Sequence, residues 1–221
     1  MNRLIPVFFG LLFGYVSLYT LLPLNAAEPK SFLIVYSGNL LAELKPCGCA
    51  KEEDQGGIER RMQYLKDLRK NKPNLLLLDT GDHFKEPTRQ GKLKAETLMK
   101  ATEMMNYDSV ALGERDLVYG TQFLRNHPIP FVTGNMNLER FPLKKSRIKK
   151  FKNGLKVATL SIVDPDLFYL KNHAGLEVTD PGQIVSKEVS SIQQHAPDII
   201  VLLTHMDKKK ALSFFFYSEN Q

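Results

Sequence analysis

The sequence predicts an α/β domain built on mixed, mainly parallel β-sheet. Continuous apolar runs of strand length predict six buried strands, at 32–36, 75–78, 109–112, 130–133, 157–163 and 199–203. Between several of these runs, apolar residues recur every three or four positions, as in helices that cover a sheet. The chain has 221 residues, of which 43% are hydrophobic and 24% are charged. That length and composition fit one globular domain with a sizeable core.

The first residues, 1–27, predict a secretory signal. Arg3 provides a charged start, residues 4–24 form an apolar run, and Asn25-Ala26-Ala27-Glu28 provides a small-residue exit. An apolar run of roughly 20 residues can also span a bilayer. The alternatives are therefore a cleaved signal and an uncleaved membrane anchor through residues 4–24. Both predict a periplasmic or extracellular protein, membrane-anchored if the signal is uncleaved.

The remaining elements follow in order along a domain predicted at residues 30–207. Three helices are predicted from apolar residues at helical spacing: Ile58, Met62, Leu65 and Leu68; Leu98, Ala101 and Met105; Val185, Val189 and Ile192. Residues 147–152 and 155–162 flank Asn153-Gly154, which predicts a hairpin closed by a type I′ turn. Residues 208–221 show no turn or cap that would finish such a fold. They are predicted to be an irregular tail, and the C-terminal part of the fold is predicted to be missing.

A basic stretch accounts for much of the formal net charge of +6. It contains eight cations beside the single acid Glu139: Arg140, Lys144, Lys145, Arg147, Lys149, Lys150, Lys152 and Lys156. One interpretation is a solvated hairpin face. The other is a patch for anionic lipid or substrate, because clustered cations concentrate anions. No aromatic residues alternate with the basic ones in a recognisable motif, so we expect no nucleic-acid partner.

Polar side chains follow the predicted strands at their carboxyl ends, where open α/β sheets bind ligands. They are Asn39 after the first strand; Asp79, Asp82 and His83 after the second; Glu114, Arg115 and Asp116 after the third; and His205 after the last. Carboxylate, amide and imidazole groups suit divalent metals. Asp and Asn after strands also serve as turn or helix caps. We take Asp79 as such a cap and regard Asp82 and His205 as candidate ligands.

The polar segments resemble the 5′-nucleotidase and UDP-sugar hydrolase family of the calcineurin-like metallophosphoesterases. Asp79-Thr80-Gly81-Asp82-His83-Phe84 resembles its GDNF motif, and residues 106–116 resemble its GYDAVALGNHE segment. Val201-Leu202-Leu203-Thr204-His205 resembles its ALSH, and residues 56–61 resemble the start of its first helix. The segments occur in the right order over roughly residues 32–207, which makes chance agreement improbable.

This resemblance implies a four-layer α/β/β/α sandwich with mixed sheets and a pair of metal ions that activate water against phosphorus. Asp82, Glu114 and His205 would bind metal, with Asn39 as a further candidate ligand, and Arg115 and Asp116 would be catalytic. Asn39 and Leu41 stand where the family has aspartate and histidine, so the alternatives are one ion and two, of Zn, Mn, Mg or Ca. Arg115 stands where the family has histidine; it can hold a phosphate but cannot act as a general acid. The implied partner is a small phosphorylated substrate.

Two alternatives remain open beside this reading. Cys47 and Cys49 resemble the signature of a Cys-Gly-Cys nucleotidase-like branch, and thiolates bind soft metals and exchange disulfides. The chain could therefore be a redox or metal-binding protein that has reused the fold. It could also be an inactive, truncated family member.

Overall fold

The computed structural model describes residues 30–48, 54–85, 87–139, 141, 143–168 and 175–216. The described residues from Ser31 onward belong to one compact unit. The predicted signal or anchor, residues 4–24, lies outside the described residues. Within the described part of the chain, no helix combines the length and the apolar character needed to cross a bilayer.

Strands and helices alternate along the chain. In order they are β1 (Leu33–Ser37), β2 (Pro46–Cys47), β3 (Gln55–Gly56), α1 (Ile58–Asn71), β4 (Leu75–Asp79), α2 (Arg89–Met105), β5 (Ser109–Ala111), α3 (Thr121–Arg125), β6 (Phe131–Val132), β7 (Met136–Leu138), β8 (Ser146–Lys150), β9 (Lys156–Val163), β10 (Leu176–Val178), α4 (Pro181–Gln193), β11 (Ile199–His205) and α5 (Lys208–Phe216). Two 3₁₀ turns, Glu114–Leu117 and Pro165–Phe168, follow β5 and β9. All six predicted strands are present, with ends that differ by one or two residues.

Two larger sheets form the centre of the domain. The first has the order β1-β4-β5-β6 and is entirely parallel. The second has the order β11-β9-β8, with β11 parallel and β8 antiparallel to β9. Two small antiparallel pairs, β7 with β10 and β2 with β3, complete the described strands. The prediction of a mixed α/β sheet structure is confirmed.

The loop between β8 and β9 differs from the predicted type I′ turn. The amide of Gly154 donates to the carbonyl of Phe151 at 3.0 Å, so Lys152 and Asn153 are the central residues. Neither has a positive φ, whereas Gly154 has a φ of 85°. A type I′ turn needs positive φ at both central residues. The prediction of turn type was therefore wrong: this three-residue loop places its left-handed residue after the turn, and only glycine adopts that conformation without strain.

Alternating side chains on the first sheet separate the layers. Leu75 and Leu77 of β4 pack in the cluster that contains residues of α1 and α2. Leu76 and Leu78 point to the opposite face, because successive strand residues alternate. There they pack against residues of the second sheet and its hairpin: Phe151, Leu155, Val157 and Leu203. Ala158 and Leu160 of β9 contact Ile192 of α4 on the far side. The layers are therefore helix, sheet, sheet, helix, and the four-layer prediction is confirmed.

The helices begin at residues suited to cap them. The Thr88 hydroxyl accepts from the amide of Gly91 at the start of α2, and Asp180 accepts from the amides of Gly182 and Gln183 at the start of α4. Asp207 does the same for α5, where its carboxylate accepts from the amide of Lys209 at 2.8 Å. The tail predicted to be irregular is therefore helical over Lys208–Phe216.

Candidate metal centre

Three polar side chains converge where β4, β5 and β11 end. Asp82 lies in the loop after β4, Glu114 begins the 3₁₀ turn after β5, and His205 is the last residue of β11. One ligand atom from each lies within 4.8 Å of the others. His205 Nε2 is 3.1 Å from Glu114 Oε2 and 3.5 Å from Asp82 Oδ1. The first sheet supplies two of the residues and the second sheet the third, so packing of the sheets assembles the cluster.

Asp82 owes its position to an unusual backbone conformation. Its φ is 61°, in the left-handed region that aspartate tolerates better than most residues. Its amide donates to the buried carboxylate of Asp116 at 2.9 Å, and its carboxylate accepts from the amide of Arg115 at 3.1 Å. The loop after β4 is thereby joined to the 3₁₀ turn after β5. This joint fixes the separation between Asp82 and Glu114.

Gly113 permits the cluster to close. A Cβ atom built on Gly113 would lie 2.6 Å from His205 Nε2 and would also overlap Asp82 Oδ1. Real Cβ atoms do not approach other heavy atoms so closely. Only glycine can therefore occupy this position without displacing two candidate ligands.

His205 is oriented through its other ring nitrogen. Nδ1 lies 2.9 Å from the backbone carbonyl oxygen of Thr80, and a carbonyl only accepts hydrogen bonds, so Nδ1 carries the proton. Nε2 then faces the carboxylates of Glu114 and Asp82. A histidine that binds metal commonly has its second nitrogen tied to a carbonyl in this manner, which fixes the tautomer and the ring plane.

The charges in the cluster interact strongly. Burial raises the pKa of Asp82 to about 6, with His205 acting against that rise and Asp116 adding to it. Burial lowers the pKa of His205, but its hydrogen bond to Glu114 and the charge of Asp82 outweigh burial and raise the pKa overall. In the metal-free protein a proton on His205 thus partly neutralises the two carboxylates.

This donor set fits a divalent cation. Two carboxylates and an imidazole, largely withdrawn from water, carry more negative charge than one imidazolium offsets, and oxygen with nitrogen ligands suits Zn, Mn and related ions. A cation would replace the proton on Nε2 and satisfy both carboxylates. Among the described residues, this is the one group of three or more His, Cys, Asp or Glu side chains placed to share an ion.

Arg115 lies at the rim of the cluster. Its Nε is 3.5 Å from Asp82 Oδ2 and 3.7 Å from Glu114 Oε1, and 42% of its side chain is exposed. The guanidinium therefore borders both the carboxylates and the solvent. From this position it can bind an incoming anion without leaving the site.

Asp116 lies beneath the cluster and has no exposed surface. Its Oδ2 accepts from the amides of Asp82 and Gly113, at 2.9 Å and 2.7 Å. Its Oδ1 accepts from the amide of His83 at 2.8 Å and lies 2.8 Å from His83 Nδ1. A carboxylate so enclosed cannot touch a substrate, and it holds the loops that carry Asp82 and Gly113 instead.

His83 and Asp79 extend this buried support. His83 Nε2 lies 3.2 Å from Asp79 Oδ1, although the pair lacks hydrogen-bond geometry. Burial lowers the pKa of His83, but the carboxylates of Asp116 and Asp79 raise it well above its usual value. Asp79 also accepts from the Ser37 hydroxyl at 2.6 Å and from the Gly81 amide at 2.8 Å. The expected turn-capping role of Asp79 is thus seen, within a buried ionic network.

The other predicted residues occupy the surroundings of the cluster. The amide of Asn39 donates to the carbonyl of Gly81 at 2.8 Å, and Asn39 itself is exposed. The loop after β1 therefore adjoins the Asp82 loop. Cys47 is exposed on β2 and does not belong to the cluster, whereas Cys49 lies outside the described residues. Sequence reasoning missed Gly113 and the Thr80 carbonyl, whose roles depend on interatomic approach rather than on residue type.

Comparison with known proteins supports a relationship to nucleotidases. No protein-family model matches the chain. A snake venom 5′-nucleotidase from Naja atra is 23% identical over 161 residues, which cover 70% of this chain and 30% of that protein. A 5′-nucleotidase from Rattus norvegicus is 29% identical over 86 residues, covering 37% of this chain and 15% of that protein.

The fold is also similar to that of a 5′-nucleotidase of known structure. The crystal structure of a 5′-nucleotidase precursor from Thermus thermophilus matches with a TM-score of 0.73 and 21% identity, over 82% of this chain and 38% of that one. This identity is too low to indicate more than a common fold. The chain spans less than two fifths of the length of each of these relatives.

Proposed function

We propose that this chain, which is similar to 5′-nucleotidases in sequence and in fold, is a metal-dependent hydrolase of nucleotides or similar small phosphate esters. The convergence of Asp82, Glu114 and His205 is the observation that supports this proposal most strongly. The three side chains would hold one divalent cation, of Zn, Mn, Mg or Ca. When bound, such an ion polarises phosphoryl oxygens and lowers the pKa of a water molecule.

The protein side chains have separate tasks in this proposal. Asp82 and Glu114 supply the negative charge that retains the cation, and His205 supplies a nitrogen ligand. The Thr80 carbonyl keeps the ring of His205 in place through the 2.9 Å bond to Nδ1. Asp116 acts as a positioning residue, because it fixes the amides of Asp82 and Gly113 from below.

Arg115 would bind the phosphoryl group of the substrate. Its exposed guanidinium carries a permanent positive charge and presents several N–H donors in one plane, which suits phosphate oxygens. The same permanent charge prevents it from protonating a leaving group. We therefore expect substrates whose leaving groups are stable as anions, such as phosphoanhydrides and aryl phosphates, to react best.

We also propose that the protein is exported. The charged start, apolar run and small-residue exit of residues 1–27 support this localisation.

Metal analysis combined with an activity assay tests the proposed function. Purified protein is expected to contain a divalent metal and to release phosphate from p-nitrophenyl phosphate and a nucleoside diphosphate. EDTA should remove both properties, and added metal should restore them. Asp82→Asn should lose the metal and reduce activity by about 100-fold or more.

Asp67→Asn is the matched control, because it makes the same chemical change on the exposed surface of α1. It should keep both the metal and the activity. Full activity in the Asp82→Asn protein, or in wild-type protein stripped of metal, would contradict the proposal.

A further inference from the structure

The basic stretch before and within β8 divides into two groups with different surroundings. Lys149 is used internally: its Nζ donates to both oxygens of Asp108 at 2.7 Å and to the carbonyl of Leu75 at 2.6 Å. Lys145 is also engaged, with the carbonyl of Gly134 at 2.9 Å. Asp108 neutralises the charge of Lys149, and the carbonyl of Gly134 occupies the ammonium group of Lys145. Both contacts connect separate parts of the fold.

Lys144 and Arg147 form the second group. Among the described residues, none forms a hydrogen bond or an ion pair with either side chain. Both line a cavity of about 310 Å³ between the edge strand β8 and the end of α4. The described lining includes no carboxylate, so the positive charges of Lys144 and Arg147 face the cavity without an internal counter-charge. This arrangement favours an anion over a neutral ligand.

The rest of the lining consists of two apolar side chains, Ile148 and Ile192, and three residues with hydrogen-bonding groups. Ser146 lies on β8, and Ser191 and His195 lie at the end of α4 and just beyond it. His195 Nδ1 is 3.2 Å from the carbonyl oxygen of Ser191, so Nδ1 donates and Nε2 remains available as an acceptor. A phosphate monoester can both accept from the cations and hydroxyls and, when singly protonated, donate to a nitrogen. Its chemistry thus matches the polar groups of the lining.

We propose that this cavity binds the phosphate group of a small soluble phosphate ester, at a site separate from the metal centre. β8 and β11 are opposite edges of the second sheet, and the cavity shares no residue with the Asp82, Glu114 and His205 cluster. A volume of about 310 Å³ accommodates a small molecule, since ligand pockets start at roughly 300 Å³. A concave site suits such a ligand better than a membrane surface, which needs a projecting patch.

Phosphate titration of the full-length protein, followed by the shifts of its backbone amide resonances in EDTA, tests this proposal. Inorganic phosphate and glycerol 3-phosphate are expected to cause saturable shifts at Arg147, Ser191 and His195. The EDTA keeps the metal centre empty, so failure here would leave the proposed hydrolase function untouched. Absence of saturable shifts at these residues would overturn the proposal.

Two double variants, each of which loses two positive charges, distinguish a specific site from a general attraction of anions. Lys144→Gln with Arg147→Gln should weaken binding by about tenfold or more, because charge-assisted hydrogen bonds are lost. Lys150→Gln with Lys152→Gln removes the same charge from exposed residues outside the cavity and should change the affinity less than about twofold. Equal weakening in both variants would contradict the proposal. So would binding to vesicles that contain phosphatidic acid without any binding of the soluble phosphates.

Discussion

His205 and Thr80 join the two sheets at the candidate metal centre. His205 Nδ1, at the end of β11, donates to the carbonyl oxygen of Thr80, just after β4, over 2.9 Å. The bond crosses from the second sheet to the first and fixes the ring so that Nε2 faces Glu114. Formation of the site therefore depends on correct packing of the sheets as well as on the identity of its ligands.

Gly113→Ala is expected to abolish metal binding while the domain stays folded. The added methyl group would overlap His205 Nε2 and Asp82 Oδ1, but the backbone φ of Gly113, −103°, is accessible to alanine. Calorimetric titration with Zn²⁺ and circular dichroism measure the two properties. Gly182→Ala, at an exposed position in the first turn of α4, serves as the control and should bind metal normally. Normal metal affinity in Gly113→Ala would show that the ion, if any, binds elsewhere.

Asp116→Asn is expected to destabilise the fold by about 3 kcal/mol. The change removes a charge from a buried network, and it places the N–H group of the new side chain against backbone amides that need an acceptor. The carboxylate accepts from the amides of Asp82, His83 and Gly113. Urea unfolding measures the free energy of unfolding. Asp166→Asn, at a side chain that is 79% exposed, should change this free energy by less than about 1 kcal/mol. Similar stability of the two variants would rule out the supporting role of Asp116.

Metal affinity is expected to decrease as the pH is lowered. Burial raises the pKa of Asp82 to about 6 in the metal-free protein, and the pKa of His205 is also raised, by Glu114 and Asp82 against the effect of burial. Protonated forms cannot bind the ion, so protons compete with metal at higher pH than they do for free side chains. Titration with Zn²⁺ in buffers of different ionisation enthalpy should show proton release on binding and a loss of affinity as pH falls through 6. Affinity that is constant between about pH 5 and pH 8 would contradict this assignment.

The leaving group is expected to control the rate of hydrolysis. Arg115 cannot provide a proton, so an alkoxide must depart without general acid catalysis, a loss of roughly 100-fold or more. p-Nitrophenyl phosphate and nucleoside diphosphates should therefore give a higher kcat/KM than a nucleoside monophosphate. Arg115→His, which restores an imidazole that can donate a proton, should reduce this difference. Equal rates for aryl and alkyl esters in the wild-type protein would show that another group supplies the proton.

Apolar patterns in the sequence were sufficient to predict the main strands and the three longest helices, whereas the arrangement in four layers followed from the family resemblance. Apolar runs identified the strands because buried parallel strands are hydrophobic on both faces, as in β4, whose five residues are all buried. The helical character of the tail was missed because its starting signal is a single cap, Asp207, without a strong apolar period behind it. Lys210 also holds this helix to Asp164 and Asp166, contacts that depend on the fold.

The candidate site was predictable in its location but less so in its detail. Placement after strands indicated Asp82 and His205 as candidate ligands, and the family resemblance added Glu114. Placement alone could not separate Glu114 from Asp116, because both follow the same strand. The 3₁₀ turn separates them. Such a turn rotates by about 120° per residue, so the side chains of two residues that are two positions apart point in different directions. Asp116 consequently points into the core, while Glu114 reaches the cluster.

Anomalous diffraction from a crystal soaked in Zn²⁺ tests the central claim most directly. The claim is that Asp82, Glu114 and His205 bind one cation together. It predicts an anomalous peak about 2 Å from His205 Nε2 and from one carboxylate oxygen of each acid. A crystal in which this position has no peak, or in which Zn²⁺ is held by Cys47 instead, would contradict the claim.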